Sequence, residues 1–547
     1  MKIHYPASID TADSLIHQQS VQRIWDRDIS VWGAAPGSAD AKSIQTRLGW
    51  LDVAHTTASE LSRVISFANA VKGDGIRSAY LLGMGGSSLC AEVIASVFGI
   101  SEDYPRLTVL DTTDEKAITT AANQCNPRET LFIVASKSGG TVEVASMERF
   151  FWAHMAAALG QHAGRHFVAI TDPGTALQKL AQSRGYRDIF VNPADIGGRF
   201  SALSLFGLVP AAVIGAPVTK LAAAGKVMAD GCRQENHTNA GLELGAFIGA
   251  AINDGRNKLT VALSPRLASL GLWIEQLIAE STGKHGTGTL PVVDEPLGSP
   301  DEYGDDRAFV ALATEVDEPD PHKLRALEVA GHPLLRLTTR IDDLGSEFFR
   351  WEFATAVAGA VLSINPFDEP NVSEAKEMTK AILAKEDFSG GKPAASADGV
   401  SVFSSRFTGS TPAEVVRAAV ASLGPRDYVS FLSYLPAAPE IESAVAAIRN
   451  SIRARAHVAS TFGVGPRYLH STGQYHKGGP NTIVAFVLTG EDDTETAIPA
   501  APFTFKQLKR AQAVGDSQTL EAHDRRTVRI HFDRGVDPVS TLKLLFA

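Results

Sequence analysis

The sequence has few cysteines and no excess of positive charge, and each of these features excludes a class of site. Its three cysteines, Cys90, Cys125 and Cys232, are scattered and lack CxxC spacing, so neither a disulfide framework nor a zinc site is indicated. Lys and Arg number 51 against 61 Asp and Glu, which gives a formal net charge of −10. That balance offers no electrostatic footprint for nucleic acid or an anionic membrane. An anionic substrate would have to be held by a few local residues.

The chain also lacks a long uninterrupted apolar run. Residues 200–218 come nearest, but they carry two glycines and two prolines and follow Arg199, which favours a buried helix over a membrane span. The first residues, MKIHYPASIDTADSL, have no apolar core of the kind that a signal peptide needs. We therefore expect a cytoplasmic protein without a membrane partner. Its 547 residues, 44% hydrophobic and 20% charged, predict two to four globular domains.

The first third of the chain alternates short apolar segments with helical patterns. Such alternation predicts βαβ units and a parallel sheet, whose ligands bind at the carboxyl ends of the strands. Two glycine-rich loops fall at such ends. The predicted strands are residues 78–82, 107–110, 131–135, 166–170 and 189–191.

A second α/β unit is predicted from about Gly241 onward, and a third α/β or α+β piece follows a linker. Residues 386–398, EDFSGGKPAASAD, are rich in Gly, Ser, Ala and Pro, a composition typical of linkers. The strands predicted beyond it are residues 400–403, 428–432, 482–488 and 528–532. The expected units are residues 1–57 (helical leader), 58–235, 236–385, 386–398 (linker) and 399–547.

The stretch LLGMGGSSLCAEV, residues 81–93, predicts a strand that turns through glycines into a helix. Such a turn commonly holds a phosphate, because the first helical N–H groups are unpaired. It is not a P-loop, since Leu89 follows Ser88 where a Lys-Ser/Thr pair would be needed. It is not a dinucleotide fingerprint either, since Ser88 stands where the third small residue belongs.

A second loop, SKSGGT, offers three hydroxyls and one ammonium at the start of another predicted helix. These groups, Ser136, Lys137, Ser138 and Thr141, suit a phosphate monoester at the positive helix end. Helix capping by a hydroxyl beside a solvated lysine is the structural alternative. Two such loops in one sheet favour phosphate binding.

Two further segments carry groups for chemistry on a bound anion. In DIGGRFSALS, Arg199 follows a glycine pair and could stabilise a developing oxyanion, unless it is only a surface arginine. In the helix predicted at 267–281, Gln276 and Glu280 lie four residues apart on one face. The helix C-terminus and apolar neighbours should raise the pKa of Glu280 toward that of a general base, whereas a solvated glutamate is the common alternative.

Together these motifs resemble a known family. SKSGGT, IGGRFS, AESTGK and INPFDEPNVSEAK, in this order, are similar to phosphoglucose isomerases, which are built from two sugar-isomerase (SIS) domains with flavodoxin-like parallel sheets. GMGGSS fits the same place in the first domain, and the resemblance covers about residues 78–380. RLGWLD and YLHSTGQYHKGGPN further resemble the isomerase half of bifunctional transaldolase/phosphoglucose isomerase proteins. No segment supplies a transaldolase barrel, so that activity is not implied.

The resemblance implies interconversion of glucose 6-phosphate and fructose 6-phosphate without metal or nucleotide, by a homodimer. Arg199, after Gly198, would face the enediolate, and Glu280 would carry the proton between C1 and C2 with Gln276 near the sugar hydroxyls. Lys376 would lie near the ring oxygen. The implied phosphate site consists of Ser136, Lys137, Ser138 and Thr141, with Gly86 and Ser87 alongside.

Two departures from the family pattern concern ring opening. The segment PDEYGDDRAFV places Arg307 where the family has a histidine, and Glu369 stands where many members have glutamine. The distal loop HSTGQYHKGGPN gathers His470, His476 and Lys477 among glycines. A metal site there lacks an evident third ligand, and a turn-rich surface loop is the structural alternative. We expect instead a lid that brings His470 or His476 to the substrate.

Two other functions fit parts of the pattern. A non-catalytic sugar-phosphate sensor would keep SKSGGT but would not need Glu280 or Lys376, and no DNA-binding helical motif is evident. An isomerase or lyase for another hexose phosphate, such as a mannose or amino-sugar phosphate, would share the same phosphate loop. The expected ligand in every case is a small sugar phosphate.

Overall fold

The computed structural model describes residues 1–386 and 388–547; Asp387, in the predicted linker, lies outside the described residues. Within that part of the chain, three mainly parallel β-sheets are each covered by helices, as the alternating pattern predicts. The chain begins with one short strand and five α-helices, the first four of which lie in the leader. These are β1 (Lys2–His4), α1 (Pro6–His17), α2 (Ser20–Trp25), α3 (Ala39–Gln45), α4 (Val53–Thr56) and α5 (Leu61–Gly73).

The first sheet is fully parallel and has the strand order β3-β2-β4-β5-β6. Its topological switch lies between β2 and β4, where the chain leaves toward opposite edges, and ligands bind at such a point. Both glycine loops follow these two strands. The strands are β2 (Ser78–Leu82), β3 (Arg106–Leu110), β4 (Thr130–Ala135), β5 (Phe167–Thr171) and β6 (Asp188–Val191); the helices are α6 (Leu89–Phe98), α7 (Glu115–Gln124), α8 (Val142–Leu159) and α9 (Ala176–Ser183).

Three helices connect the first sheet to the second: α10 (Leu205–Val213), α11 (Val218–Gly231) and α12 (Ala240–Asn253). Every residue of α10 is buried, including Pro210, so the apolar run at 200–218 is a core helix as expected. Among the described helices, none has the length and apolar character needed to cross a bilayer.

The second sheet has the order β1-β10-β9-β7-β8, with β1 antiparallel at its edge. The predicted helical leader therefore also adds a strand to this sheet. Sequence reasoning missed β8, which lies in the glycine- and proline-rich region that follows AESTGK, and β9, which begins shortly after that region. The elements are β7 (Lys258–Leu263), β8 (Leu290–Val292), β9 (Arg307–Thr314) and β10 (Leu334–Thr339), with α13 (Leu270–Thr282), α14 (Pro321–Val329), α15 (Leu344–Leu362) and α16 (Val372–Lys385).

The third sheet, in the C-terminal piece, has the order β11-β12-β16-β15-β13-β14. Strands β13 to β16 are parallel, whereas β11 and β12 form an antiparallel edge, so the end of the predicted linker is a strand. The four predicted strands are present, and β14 was missed. The elements are β11 (Ala395–Ala397), β12 (Val400–Phe403), β13 (Tyr428–Ser433), β14 (Ala459–Val464), β15 (Ile483–Gly490) and β16 (Arg526–Phe532), with α17 (Pro412–Ala421), α18 (Pro439–Ala456), α19 (Gly473–Gly478), α20 (Phe505–Ala522) and α21 (Pro538–Leu545).

The C-terminal piece packs directly onto the first two sheets. Helix α20 lies along α16, and the ring of Phe505 meets the edge of Phe150 in α8 at 5.8 Å. The segment between β14 and α19 reaches the loops that follow β2. A part of the chain far from the SKSGGT loop in sequence thus contributes to the same cleft.

Candidate active site

A cleft of about 340 Å³ lies at the switch point of the first sheet, between its glycine loops and helix α13. It gathers side chains from the leader and from all three sheet units. Eleven of the residues predicted from the sequence line it: Gly86, Ser87, Lys137, Ser138, Thr141, Gly198, Arg199, Gln276, Glu280, Lys376 and His470. Its other walls include Arg47, Asp172 and Glu369. Ser136 and His476 do not line the cleft.

The glycines of the first loop allow two loops to touch. A Cβ on Gly86 would overlap the carbonyl oxygen of Gly198 in the IGGRFS loop. Gly85 has φ +54°, and a Cβ there would come within 2.7 Å of the Gln276 amide nitrogen. Such positions exclude side chains. The close approach brings Arg199 beside the first loop.

The second loop presents hydroxyls and amides at the start of α8. Ser136 is buried and its hydroxyl shares a hydrogen bond with the Thr141 hydroxyl at 3.1 Å, so Ser136 supports the loop from beneath. Thr141 occupies the N-cap position of α8 without capping the helix through its side chain. Its hydroxyl and the first amide groups of α8 lie at the positive end of the helix dipole, where an anion is stabilised.

Lys137 is held by neighbours within the cleft. Its ammonium donates to the carboxylate of Asp172 and, at 2.8 Å, to the Ala194 carbonyl. Burial raises the pKa of Asp172, although the nearby ammonium of Lys137 opposes that shift. Two of the three ammonium N–H groups are thus engaged, and one is left for a further acceptor.

Glu280 and Arg199 form the polar centre of the cleft. Glu280 is 7% exposed, and its Oε2 accepts a hydrogen bond of 3.2 Å from Gln276 and lies 3.5 Å from Arg199 Nη1. Burial raises the pKa of Glu280, and the charge of Arg199 only partly offsets that shift. A carboxylate with a raised pKa beside a fixed cation has the properties of a general base next to an oxyanion site.

Glu369 also contacts Arg199. Its Oε2 lies 3.1 Å from Arg199 Nη1, and its Oε1 lies 3.3 Å from Arg47 Nη2. Burial alone would raise the pKa of Glu369, but the charges of Arg199 and Arg47 outweigh it and lower the pKa. Glu369 is therefore an anion held between two guanidinium groups.

His470 enters the cleft from the C-terminal piece with a carboxylate partner. Its Nε2 lies 3.1 Å from Oε1 of Glu143, in the first turn of α8, and its carbonyl accepts a 2.7 Å hydrogen bond from Gln276. The same Glu143 oxygen accepts a 2.7 Å hydrogen bond from Gln512 of α20. The charge of His470 helps to lower the pKa of Glu143 despite its burial.

Sequence reasoning missed Glu143, Arg47 and Gln512. Glu143 had a usable signal, since it stands two residues after the SKSGGT loop in the first turn of a helix. Arg47 lies in the RLGWLD motif, but no local pattern links it to the cleft. Gln512 carried no signal, because a glutamine within a helix is commonplace.

Of the two histidines expected near the substrate, the structure brings His470 into the cleft and not His476. Helix α19 turns His476 into the third sheet, where it is 1% exposed and its Nδ1 lies 2.9 Å from the Tyr428 hydroxyl. Arg307 does not replace the family histidine either. It is fully buried at the start of β9, where it hydrogen-bonds Glu295 at 2.8 Å.

Comparisons with known proteins find sequences that are similar to this chain. A family model for phosphoglucose isomerase matches residues 57–305. A glucose-6-phosphate isomerase of Carboxydothermus hydrogenoformans is 26% identical over 409 residues, which cover 63% of this chain and 87% of that protein. The enzyme of the same name from Rubrobacter xylanophilus is 29% identical over 389 residues, 61% of this chain and 88% of its own.

Two solved structures share the fold. A hypothetical protein from Thermus thermophilus superimposes with a TM-score of 0.61 at 23% identity, over 70% of this chain and 99% of that one. A glucose-6-phosphate isomerase from Chlamydia trachomatis gives a TM-score of 0.53 at 19% identity, over 67% and 78% of the two chains. These likenesses confirm the predicted parallel-sheet architecture.

Proposed function

We propose that this chain, whose residues 57–305 match a family model for phosphoglucose isomerase, interconverts glucose 6-phosphate and fructose 6-phosphate. One observation carries the proposal: the buried carboxylate of Glu280 and the guanidinium of Arg199 lie in one cleft with a hydroxyl-rich loop at a helix N-terminus. That combination suits a phosphate at one end of the substrate and proton transfer at the other.

The phosphate would occupy the loop between β4 and α8. Ser138 and Thr141 supply hydroxyl donors, Lys137 supplies the remaining ammonium N–H, and Ser87 contributes from the facing loop. Phosphate oxygens accept such charge-assisted hydrogen bonds well. A phosphate bound there fixes the sugar so that its first two carbons extend toward Glu280.

Proton transfer belongs to Glu280. Its carboxylate takes the proton from C2 of the aldose, and negative charge develops on the C1 oxygen as the enediolate forms. Arg199 stabilises that charge. The hydroxyl proton on the C2 oxygen then passes to the C1 oxygen, and Glu280 returns its proton to C1 to give the ketose. The raised pKa of Glu280 brings proton donation and acceptance closer to balance near neutral pH.

Ring opening is assigned to His470 with Glu143 behind it. An imidazole that is hydrogen-bonded to a carboxylate can pass a proton to the ring oxygen and take one from the C1 hydroxyl. Lys376 lines the same cleft and would lie near that oxygen. Replacement of His470 by alanine should slow turnover of the cyclic sugar far more than that of its open-chain form. Equal losses on both forms would assign ring opening to Lys376.

The variant Glu280→Gln tests the base. It keeps the shape of the side chain and removes the proton acceptor, so we expect turnover to fall by at least about two orders of magnitude with nearly unchanged affinity for 6-phosphogluconate. The matched control is Glu275→Gln, which changes a buried glutamate of α13 outside the cleft and should preserve turnover. Near-normal turnover of Glu280→Gln would contradict the assignment of Glu280 as the base.

Two further measurements separate this function from its alternatives. A sugar-phosphate sensor would bind phosphosugars but exchange no C2 proton with deuterated solvent. An enzyme for a mannose or amino-sugar phosphate would show a higher kcat/KM on that substrate than on fructose 6-phosphate. By family resemblance we also propose a cytoplasmic homodimer, which light scattering across a range of protein concentrations would test.

A further inference from the structure

Arg199 has little capacity left for a new anion. Its Nε donates to the Ser281 hydroxyl at 2.7 Å, and its Nη2 donates to the carbonyls of Pro366 and Asp368 at 2.9 and 2.8 Å. Its Nη1 lies between the carboxylates of Glu369 and Glu280. An oxyanion that forms beside Arg199 must therefore share it with the carboxyl groups of Glu280 and Glu369.

Arg199, Glu280 and Glu369 form a charged cluster to which the leader also contributes. Glu280 and Glu369 carry two negative charges when ionised, against one positive charge on Arg199. Arg47, in the turn after α3, supplies the second positive charge through its 3.3 Å contact with Glu369, and it is steadied by a hydrogen bond to the Ser43 hydroxyl.

Three other charged groups around this cluster already have partners, and a fourth, Lys376, acts on Glu143. Lys284 is buried and donates to the Asp368 carboxylate at 2.6 Å, and burial lowers its pKa to about 8. His470 is paired with Glu143, and Lys137 with Asp172. Lys376 lines the cleft, where its charge helps to lower the pKa of Glu143. Arg47 is thus a second cation, besides Arg199, that contacts the Glu369 carboxylate.

We propose that Arg47 is a positioning residue for the isomerisation. By compensating the negative charge of Glu369, it leaves Arg199 able to stabilise the enediolate and Glu280 able to accept a proton. The inference rests on the proposed function of the cleft. Arg47 reaches the reacting atoms only through Glu369, and it lies in the leader, outside the stretch matched by the family model.

Loss of Arg47 has a definite electrostatic consequence. Without Arg47, the negative charge of Glu369 attracts Arg199 more strongly. It also disfavours ionisation of Glu280, because the two carboxylates carry like charges. The pKa of Glu280 should rise, so the acidic limb of the kcat/KM profile should move to higher pH. The enediolate would also face the uncompensated negative charge of Glu369, and kcat should fall more than KM rises.

A double-mutant cycle tests this role. We expect Arg47→Ala to lower kcat/KM by about tenfold, the change that one pKa unit represents, and to shift the acidic limb upward. Glu369→Gln should move that limb downward. The combination Arg47→Ala/Glu369→Gln should restore kcat/KM to within about threefold of the wild type, because the charge that Arg47 offsets is gone.

The control is Arg23→Ala, which removes a leader arginine that forms a 2.8 Å ion pair with Asp28 and does not line the cleft; it should change neither kcat/KM nor the pH profile. An Arg47→Ala enzyme with unaltered kcat/KM and pH profile would overturn the inference. A double variant no better than Arg47→Ala would also overturn it, since Arg47 would then act without Glu369. Absence of wild-type isomerase activity would instead refute the proposed function.

Discussion

The buried imidazole of His476 should make the C-terminal piece sensitive to acid. Burial lowers the pKa of His476 to about 3, and the charges of Lys477 and Arg525 act in the same direction. Its ring stacks on Tyr428 with centroids 5.8 Å apart, and its Nε2 lies 3.4 Å from the Ser430 hydroxyl. The native state therefore keeps this imidazole neutral, whereas the unfolded chain protonates it near pH 6.5.

The sign and size of the effect follow from that difference. Between pH 6.5 and about 3 the unfolded state binds one more proton than the native state at this site, so stability falls as the pH falls through that window. Each pH unit costs about 1.4 kcal/mol. Over the 1.5 units from 6.5 to 5, His476 alone should therefore cost about 2 kcal/mol, and it should cost nothing above pH 7.

The variant His476→Asn isolates this contribution, because asparagine can keep the hydrogen bond to Tyr428 but does not titrate. Native-state hydrogen exchange of peptides covering β13, corrected for intrinsic rates, reports the local free energy of opening at pH 8 and pH 5. We expect the wild type to lose about 2 kcal/mol more than the variant between these values.

The exposed His322 offers a matched control, since His322→Asn should leave the difference between the two pH values near zero. Equal pH dependence in wild type and His476→Asn would refute the reasoning. The imidazole would then be charged in the folded protein, and its assignment to the third-sheet core would fail.

Three other predictions concern the cleft and its surroundings. Gly86→Ala should force the two glycine loops apart and weaken phosphosugar binding at least about tenfold in calorimetry, whereas Gly73→Ala, which has open space around it, should not. Burial raises the pKa of Glu275 to about 8, so Glu275→Gln should raise the urea-unfolding free energy at pH 7 by up to ~3 kcal/mol and have little effect at pH 4. Lys137→Ala should cost ~1.5–3 kcal/mol in binding of 6-phosphogluconate, and unchanged affinity would contradict its place in the phosphate site.

The sequence by itself determined the features that depend on neighbours along the chain. The order of strand, glycine turn and helix places Ser138 and Thr141 at one helix end, because both residues lie in the short loop that leads into the helix. Gln276 and Glu280 share a face because residues four apart on a helix are neighbours. The alternation of strands and helices likewise predicts parallel sheets, and hence a ligand site at the carboxyl ends of β2 and β4.

Only the tertiary structure decided which distant groups complete the cleft. Glu143 and His470 are 327 residues apart and meet because the C-terminal piece docks on α8 and α16. His470 and His476 are six positions apart in one loop, yet packing of α19 against the third sheet buries His476 and leaves His470 in the cleft. No pattern along the chain encodes that choice, since burial of α19 depends on strands that lie elsewhere in the sequence. The pairing of Arg47 with Glu369 arises in the same way, from two surfaces that fold together.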